Sequence, residues 1–126
     1  MHALRNVHRM LVPQGMLVDL HPVMPNPRIS AAGRDLGPLH QERWAREWLR
    51  PTERELGGVV REGVFEPLEA LELEVMDRHD TAEDVLADID DWEYGWISDR
   101  VRRRILAAEP PIDVTQRLVL RTYRAR

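Results

Sequence analysis

Nine prolines divide this 126-residue chain. Proline fixes φ and lacks an N–H, so it cannot continue a helix or sit inside a central strand. Pro13, Pro22, Pro25, Pro27, Pro51, Pro110 and Pro111 therefore decide where regular structure can start and stop. Pro13 closes an amphipathic helix predicted over about residues 2–11. Its core stripe is Leu4, Val7 and Leu11, with Ala3 and Met10 alongside and Arg5 and Arg9 facing away. Val12-Pro13-Gln14-Gly15 fits a type I turn. Met16–Leu20 follows as a short strand, apolar at four of five positions and expected to be buried on both faces.

The stretch HPVMPNPRISAAGRDLGP, His21 to Pro38, reads as a loop on its prolines and glycines. A helix over about 38–49 pairs Trp44 with Trp48 at i, i+4, with Ala45 and Leu49 beside them. Pro51 suits the first turn of the next, about 52–62, which turns Leu56, Val59 and Val60 inward and ends at Gly63. Gly57 and Gly58 weaken it by roughly 1 kcal/mol each. LEALELEVMD then alternates, Leu71, Leu73 and Val75 on one face and Glu72 and Glu74 on the wet one. Asp80 or Thr81 caps a helix with Val85, Leu86 and Ile89 inward, and a further helix over about 97–107 carries Ile97, Val101 and Ile105. In the last strand, IDVTQRLVLRTY, Ile112, Val114, Leu118 and Leu120 share one face. Asp113, Thr115, Arg117, Arg121 and Tyr123 share the other, with Val119 the exception. Antiparallel pairing of the two long strands sets Glu72 and Glu74 opposite Arg117 and Arg121.

Eighteen basic against 22 acidic residues leave a formal charge of −4, which argues against general nucleic-acid binding. There is no cysteine, hence no disulfide framework and no thiolate chemistry. No apolar run approaches the roughly 20 residues that span a bilayer, and Arg5 and Arg9 interrupt any signal-peptide segment. The expected location is cytoplasmic, with no membrane partner. All 18 basic residues are arginine, a usage that reads as GC-rich coding bias and leaves no lysine for Schiff-base chemistry.

The segment ALRNVHRMLVPQGMLVDLHP, from Ala3 to Pro22, resembles the helix, Pro-Gly turn and fifth strand of class I S-adenosylmethionine-dependent methyltransferases. The matching residues are Ala3, Leu4, Val7, Arg9, Leu11, Pro13 and Gly15, while Val12 and Gln14 depart from the family's lysine and first glycine. FEPLEALELEVMDRHDTAEDVLADI is similar to the family's sixth strand and following helix, and VTQRLVLRTYRAR to its seventh strand. The resemblance implies that residues 1–126 form a single methyltransferase-like C-terminal subdomain. Its fold would be α/β, a small three-stranded mixed sheet with helices packed mainly on one face, as in the C-terminal part of a Rossmann-like fold. The strand order would be first–third–second, the last strand antiparallel to the others.

The family's cofactor half is absent from this stretch. Glycines stand at 15, 33, 37, 57, 58, 63 and 95, so no Gly-x-Gly exists to let backbone approach a cofactor. The expected cofactor is none, no metal is expected, and methyl transfer by this chain alone is not.

Asp19 and His21, at i, i+2 near the end of the first strand, are the candidate catalytic or binding pair. The bland alternative is a loop-capping Asp and a partly exposed His. His40 and His79 extend that pair to a three-His site only without any HxH or HxxxH spacing in support. Arg100, Arg102, Arg103 and Arg104 offer a phosphate or acidic-partner site. The acidic run Asp88, Asp90, Asp91, Glu93 and Asp99 beside them favours an internally paired surface. Trp44, Trp48, Trp92 and Trp96 serve either to stack a flat ligand or, more ordinarily, as core or interface anchors.

Three functions follow. The first is a methyltransferase-like interaction or regulatory module. The second is the C-terminal half of an enzyme completed by a partner chain or upstream segment. The third is a small-molecule-binding protein using the Asp19/His21 end of the sheet. An apolar Met16–Leu20 edge without a neighbour invites aggregation, so a homodimer or another protein partner is expected to cover it.

Overall fold

The computed structural model describes residues 3–23, 26–42, 47, 49–93 and 95–126. In chain order the elements are α1 (Ala3–Met10), β1 (Met16–Pro22), β2 (Arg28–Ala31), β3 (Arg34–Pro38), β4 (His40–Gln41) and α2 (Leu49–Arg61). There follow β5 (Phe65–His79), α3 (Ala82–Asp91), β6 (Gly95–Trp96), α4 (Asp99–Ala107) and β7 (Ile112–Ala125). β7 hydrogen-bonds to β1, β2 and β5, β3 adds to β2, and β4 pairs with β6 in a separate ribbon.

This corrects the expected fold. Seven strands and four helices stand among the described residues, in place of a three-stranded mixed sheet with helices on one face. The pairings of β2 with β3, β2 with β7 and β4 with β6 are all antiparallel. The main cause lies in the segment expected to be a loop. Ala32 and Gly33 both hold positive φ, 49° and 73°, which closes a two-residue hairpin between β2 and β3. Pro27 precedes β2 and Pro38 ends β3, so proline borders these strands without interrupting their ladder. The predicted helix over 38–49 begins instead as β4, and its Trp44 and Trp48 lie outside the described residues.

The turn before β1 is also corrected. Gly15 N donates to Val12 O at 2.8 Å, closing a four-residue turn. Gln14 has φ +67°, so the turn is type II, not type I.

The chain divides into two compact units. The first comprises Met1–His21, Arg46–Leu73 and Val119–Arg126. Its core is Leu56, Val59, Phe65, Tyr123 and Ala125, with Leu4, Leu11, Leu17 and Val60 packed against it. Helix α1 itself buries no residue fully, and Met10, expected beside the core stripe, is exposed. Leu4 N, one of the unpaired donors at the start of α1, gives its hydrogen to Glu55 Oε1 on α2. Ala125 N donates to Gly15 O, tying the end of β7 to the entry of β1.

The second unit comprises Pro22–Ala45 and Glu74–Leu118. Ile29, Val85, Ile105 and Ile112 are its most deeply buried side chains. Thr81 caps α3 by accepting from Asp84 N, and Ser98 caps α4 by accepting from Val101 N. Val23 N donates to Arg117 O. No helix among the described residues is long and apolar enough to cross a membrane.

Two burial patterns differ from expectation. In β7 the even positions Ile112 and Val114 join the second unit's core, whereas the odd positions Tyr123 and Ala125 join the first unit's. Tyr123, expected on the wet face, is 6% exposed. On β1, Met16, Val18 and Leu20 are all more than half exposed, so the strand is not buried on both faces. Leu71 and Val75 of β5 also face solvent.

Candidate functional site

β1 alternates, and its inward residues are Leu17, Asp19 and His21. Leu17 packs on the first core, which anchors the strand and turns Asp19 and His21 the same way. His21 Nδ1 lies 2.7 Å from Asp19 Oδ2, with the two side chains only 10% and 16% exposed. The carboxylate accepts, so Nδ1 carries the proton and Nε2 is directed at the far side. There Glu53 Oε1, on α2, stands 3.7 Å away. A carboxylate that fixes the imidazole tautomer is the arrangement from which a histidine can accept or relay a proton. The structure thus brings Asp19 and His21 together and adds Glu53, which the sequence reading missed. Its only sequence signal is its place in the first turns of α2, on the helix face that carries Leu56 and Val60.

Glu53 also lines a groove of about 410 Å³ between α2 and the β5/β7 ladder. Leu56, Val60, Pro67 and Leu68 give it apolar walls, and buried Tyr123 forms part of it. Arg121 and Glu69 complete its charged groups. The bonds Ala125 N to Gly15 O and Val23 N to Arg117 O set the β1/β7 register and place Asp19 across from Arg121. Asp19 is nevertheless engaged with His21, and Arg121 has no hydrogen bond or ion pair among the described residues.

The other candidates separate. His40 belongs to the second unit, where its ring stacks on Trp96 at 4.5 Å. His79, in the same unit, sits 2.8 Å from Asp88 Oδ2 through Nε2, and its Nδ1 is buried without a hydrogen-bond partner among the described residues. No cluster of three or more His, Cys, Asp or Glu among the described residues is arranged to hold a metal. The arginine run behaves as a paired surface where it is engaged. Arg102 makes two hydrogen bonds to Asp90, at 2.6 and 3.3 Å, and Arg104 reaches Leu36 O. The Arg102 guanidinium holds the Asp90 carboxyl below its ordinary range. Trp92 packs partly buried against the second core, and Trp96 is half exposed.

The expected cross-strand partners also change. Glu66 of β5 forms ion pairs with Arg124 of β7 and with Arg126 just past it, and Arg78 of β5 forms one with Asp113 of β7. Glu72 and Glu74 make none with Arg117 or Arg121 among the described residues.

Compared with family models, with curated proteins and with solved structures, the chain matches none.

Proposed function

We propose that this chain is an interaction module that docks through the free edge of β1, onto a second copy of itself. The observation that supports this most is the state of that strand. Among the described residues β1 hydrogen-bonds only to β7, leaving its other edge unpaired, while Met16, Val18 and Leu20 stand 58%, 54% and 53% exposed. A row of free backbone donors and acceptors flanked by apolar side chains is a template for strand addition. Two identical strands pair antiparallel across a two-fold axis, which makes a homodimer self-complementary there. The absence of any Gly-x-Gly supports an interaction role over methyl transfer by this chain alone.

Light scattering across a concentration series tests the reading. The expected particle contains two chains, and Val18→Lys, which places a charge at the centre of the edge, returns it to one. A wild-type chain that stays single at high concentration overturns the dimer. A saturable calorimetric response to S-adenosylmethionine from the chain alone overturns the interaction-only role. If the chain is single yet binds a cofactor-binding polypeptide in a Val18-dependent way, the edge serves a completing partner instead of a second copy.

A further inference from the structure

The groove between α2 and the β5/β7 ladder joins three properties. Its volume, about 410 Å³, falls in the roughly 300–1,000 Å³ span of small-molecule sites. Its walls are largely aliphatic, from Leu56, Val60, Pro67 and Leu68. Its charged groups are few and of both signs: Arg121 against Glu53 and Glu69. Arg121 is the decisive one, because it lines this largely apolar groove and its side chain has no hydrogen bond or ion pair among the described residues. A guanidinium in such a place is matched by a carboxylate, which it grips with two parallel N–H bonds. Thr122 Oγ1 accepts from Glu69 N at 3.2 Å and so pins the β5 wall that carries Glu69 to β7.

The sign pattern narrows the ligand. A simple carboxylate suits Arg121 but is repelled by two glutamates. A simple amine suits the glutamates but is repelled by Arg121. A molecule with both charges close together and an apolar remainder satisfies all three and covers the aliphatic walls. We propose that the groove binds a small apolar α-amino acid as its zwitterion, the carboxylate on Arg121 and the ammonium toward Glu53 and Glu69. This site is separate from the β1 edge and does not depend on what that edge docks.

Calorimetric titration of the full chain with L-leucine, isovalerate and isoamylamine tests the assignment. L-Leucine is expected to saturate one site, and each half-ligand to bind at least tenfold more weakly. Arg121→Gln is expected to weaken leucine at least tenfold, with Arg121→Lys between the two and Arg117→Gln without effect. Glu69→Gln, at an exposed position, should weaken leucine and isoamylamine while leaving isovalerate unchanged or tighter. It keeps the test alive should Arg121→Gln not fold by circular dichroism. Absence of saturable leucine binding overturns the proposal. So does leucine binding that neither Arg121→Gln nor Glu69→Gln changes, or a half-ligand that binds as tightly as leucine.

Discussion

Asp19 and His21 hold each other across 2.7 Å on one face of β1, both largely withdrawn from water. Neither side chain would be tolerated there alone. A buried polar group without its partner carries its desolvation cost uncompensated, about 1–3 kcal/mol. Asp19→Ala is therefore expected to lower unfolding free energy by roughly that amount. Asp19→Asn, whose amide oxygen still accepts from Nδ1, should lose less. Urea denaturation of the two variants beside wild type checks this, and equal midpoints for all three proteins would remove the pair from the account of stability.

Arg78 grips Asp113 with two nitrogens, Nε at 2.9 Å and Nη2 at 3.2 Å. The hydrogen bonds and charge of the guanidinium hold the Asp113 carboxyl below its ordinary range. A carboxyl depressed on folding binds its proton more tightly in the unfolded chain. Its contribution is therefore full above the unfolded value, about 3.9, and is lost as pH falls through the lower folded value. Asp35, held down by Arg28, and Asp90, held down by Arg102, act with the same sign. Arg78→Gln should destabilise at neutral pH and move the acid-unfolding midpoint upward, with the gap from wild type closing as pH falls through the depressed folded value of Asp113. A gap independent of pH would assign the loss to packing of the Arg78 stem.

How much of this was legible follows from which forces are local. Helix α1, the Pro-Gly turn and the start of β1 are written in spacing and proline position, as are α2 with Leu56 and Val59 inward and the Thr81 cap of α3. The β2–β3 hairpin was hidden because Ala32-Gly33 is a weaker hairpin signal than Asn-Gly, and because prolines at the strand ends resemble prolines within a loop. β7 misled for a different reason. Its even apolar face is longer, but Tyr123 and Ala125 supply the first core from the odd positions, a choice made by the neighbouring helix and not by the strand itself. Val119, the one residue that broke the alternation, was the local sign of that change. Of the site, Asp19 and His21 were readable from their i, i+2 spacing. Glu53 and Arg121 come from elements 30 or more residues distant, and only tertiary packing brings them near (Glu53 lies 3.7 Å from His21).

Gly37 is the position where backbone freedom and close packing are required together. Its φ is +134°, and a Cβ there would stand 2.5 Å from Val101 Cγ2 on α4. Val101 is itself 4% exposed and cannot swing away from the second core. Overpacking of this kind costs roughly 1–3 kcal/mol, to which the strained φ adds. Gly37→Ala should lower the melting temperature measurably, whereas Gly33→Ala, with none of the described residues within 4 Å of its Cβ, should lose only the cost of its positive φ. The same drop in both would trace the loss at Gly37 to φ alone.

Gln14 offers the opposite experiment, a substitution expected to stabilise. It occupies the third position of the turn with φ +67°, where a Cβ meets the carbonyl and costs roughly 1–2 kcal/mol. Glycine removes that strain but brings a larger loss of chain entropy on folding, about 0.5–1 kcal/mol. The difference leaves Gln14→Gly more stable than wild type by up to about 1.5 kcal/mol. Gln14→Ala keeps the Cβ and should gain nothing, which separates relief of strain from loss of the amide side chain. Gly15 admits no such exchange, since a Cβ there would lie 2.8 Å from Val12 O. Urea midpoints of the three turn variants should therefore rank Gln14→Gly above wild type, Gln14→Ala near it and Gly15→Ala below. A stabilising Gln14→Ala would show that the side chain, and not the backbone, is what the turn tolerates poorly.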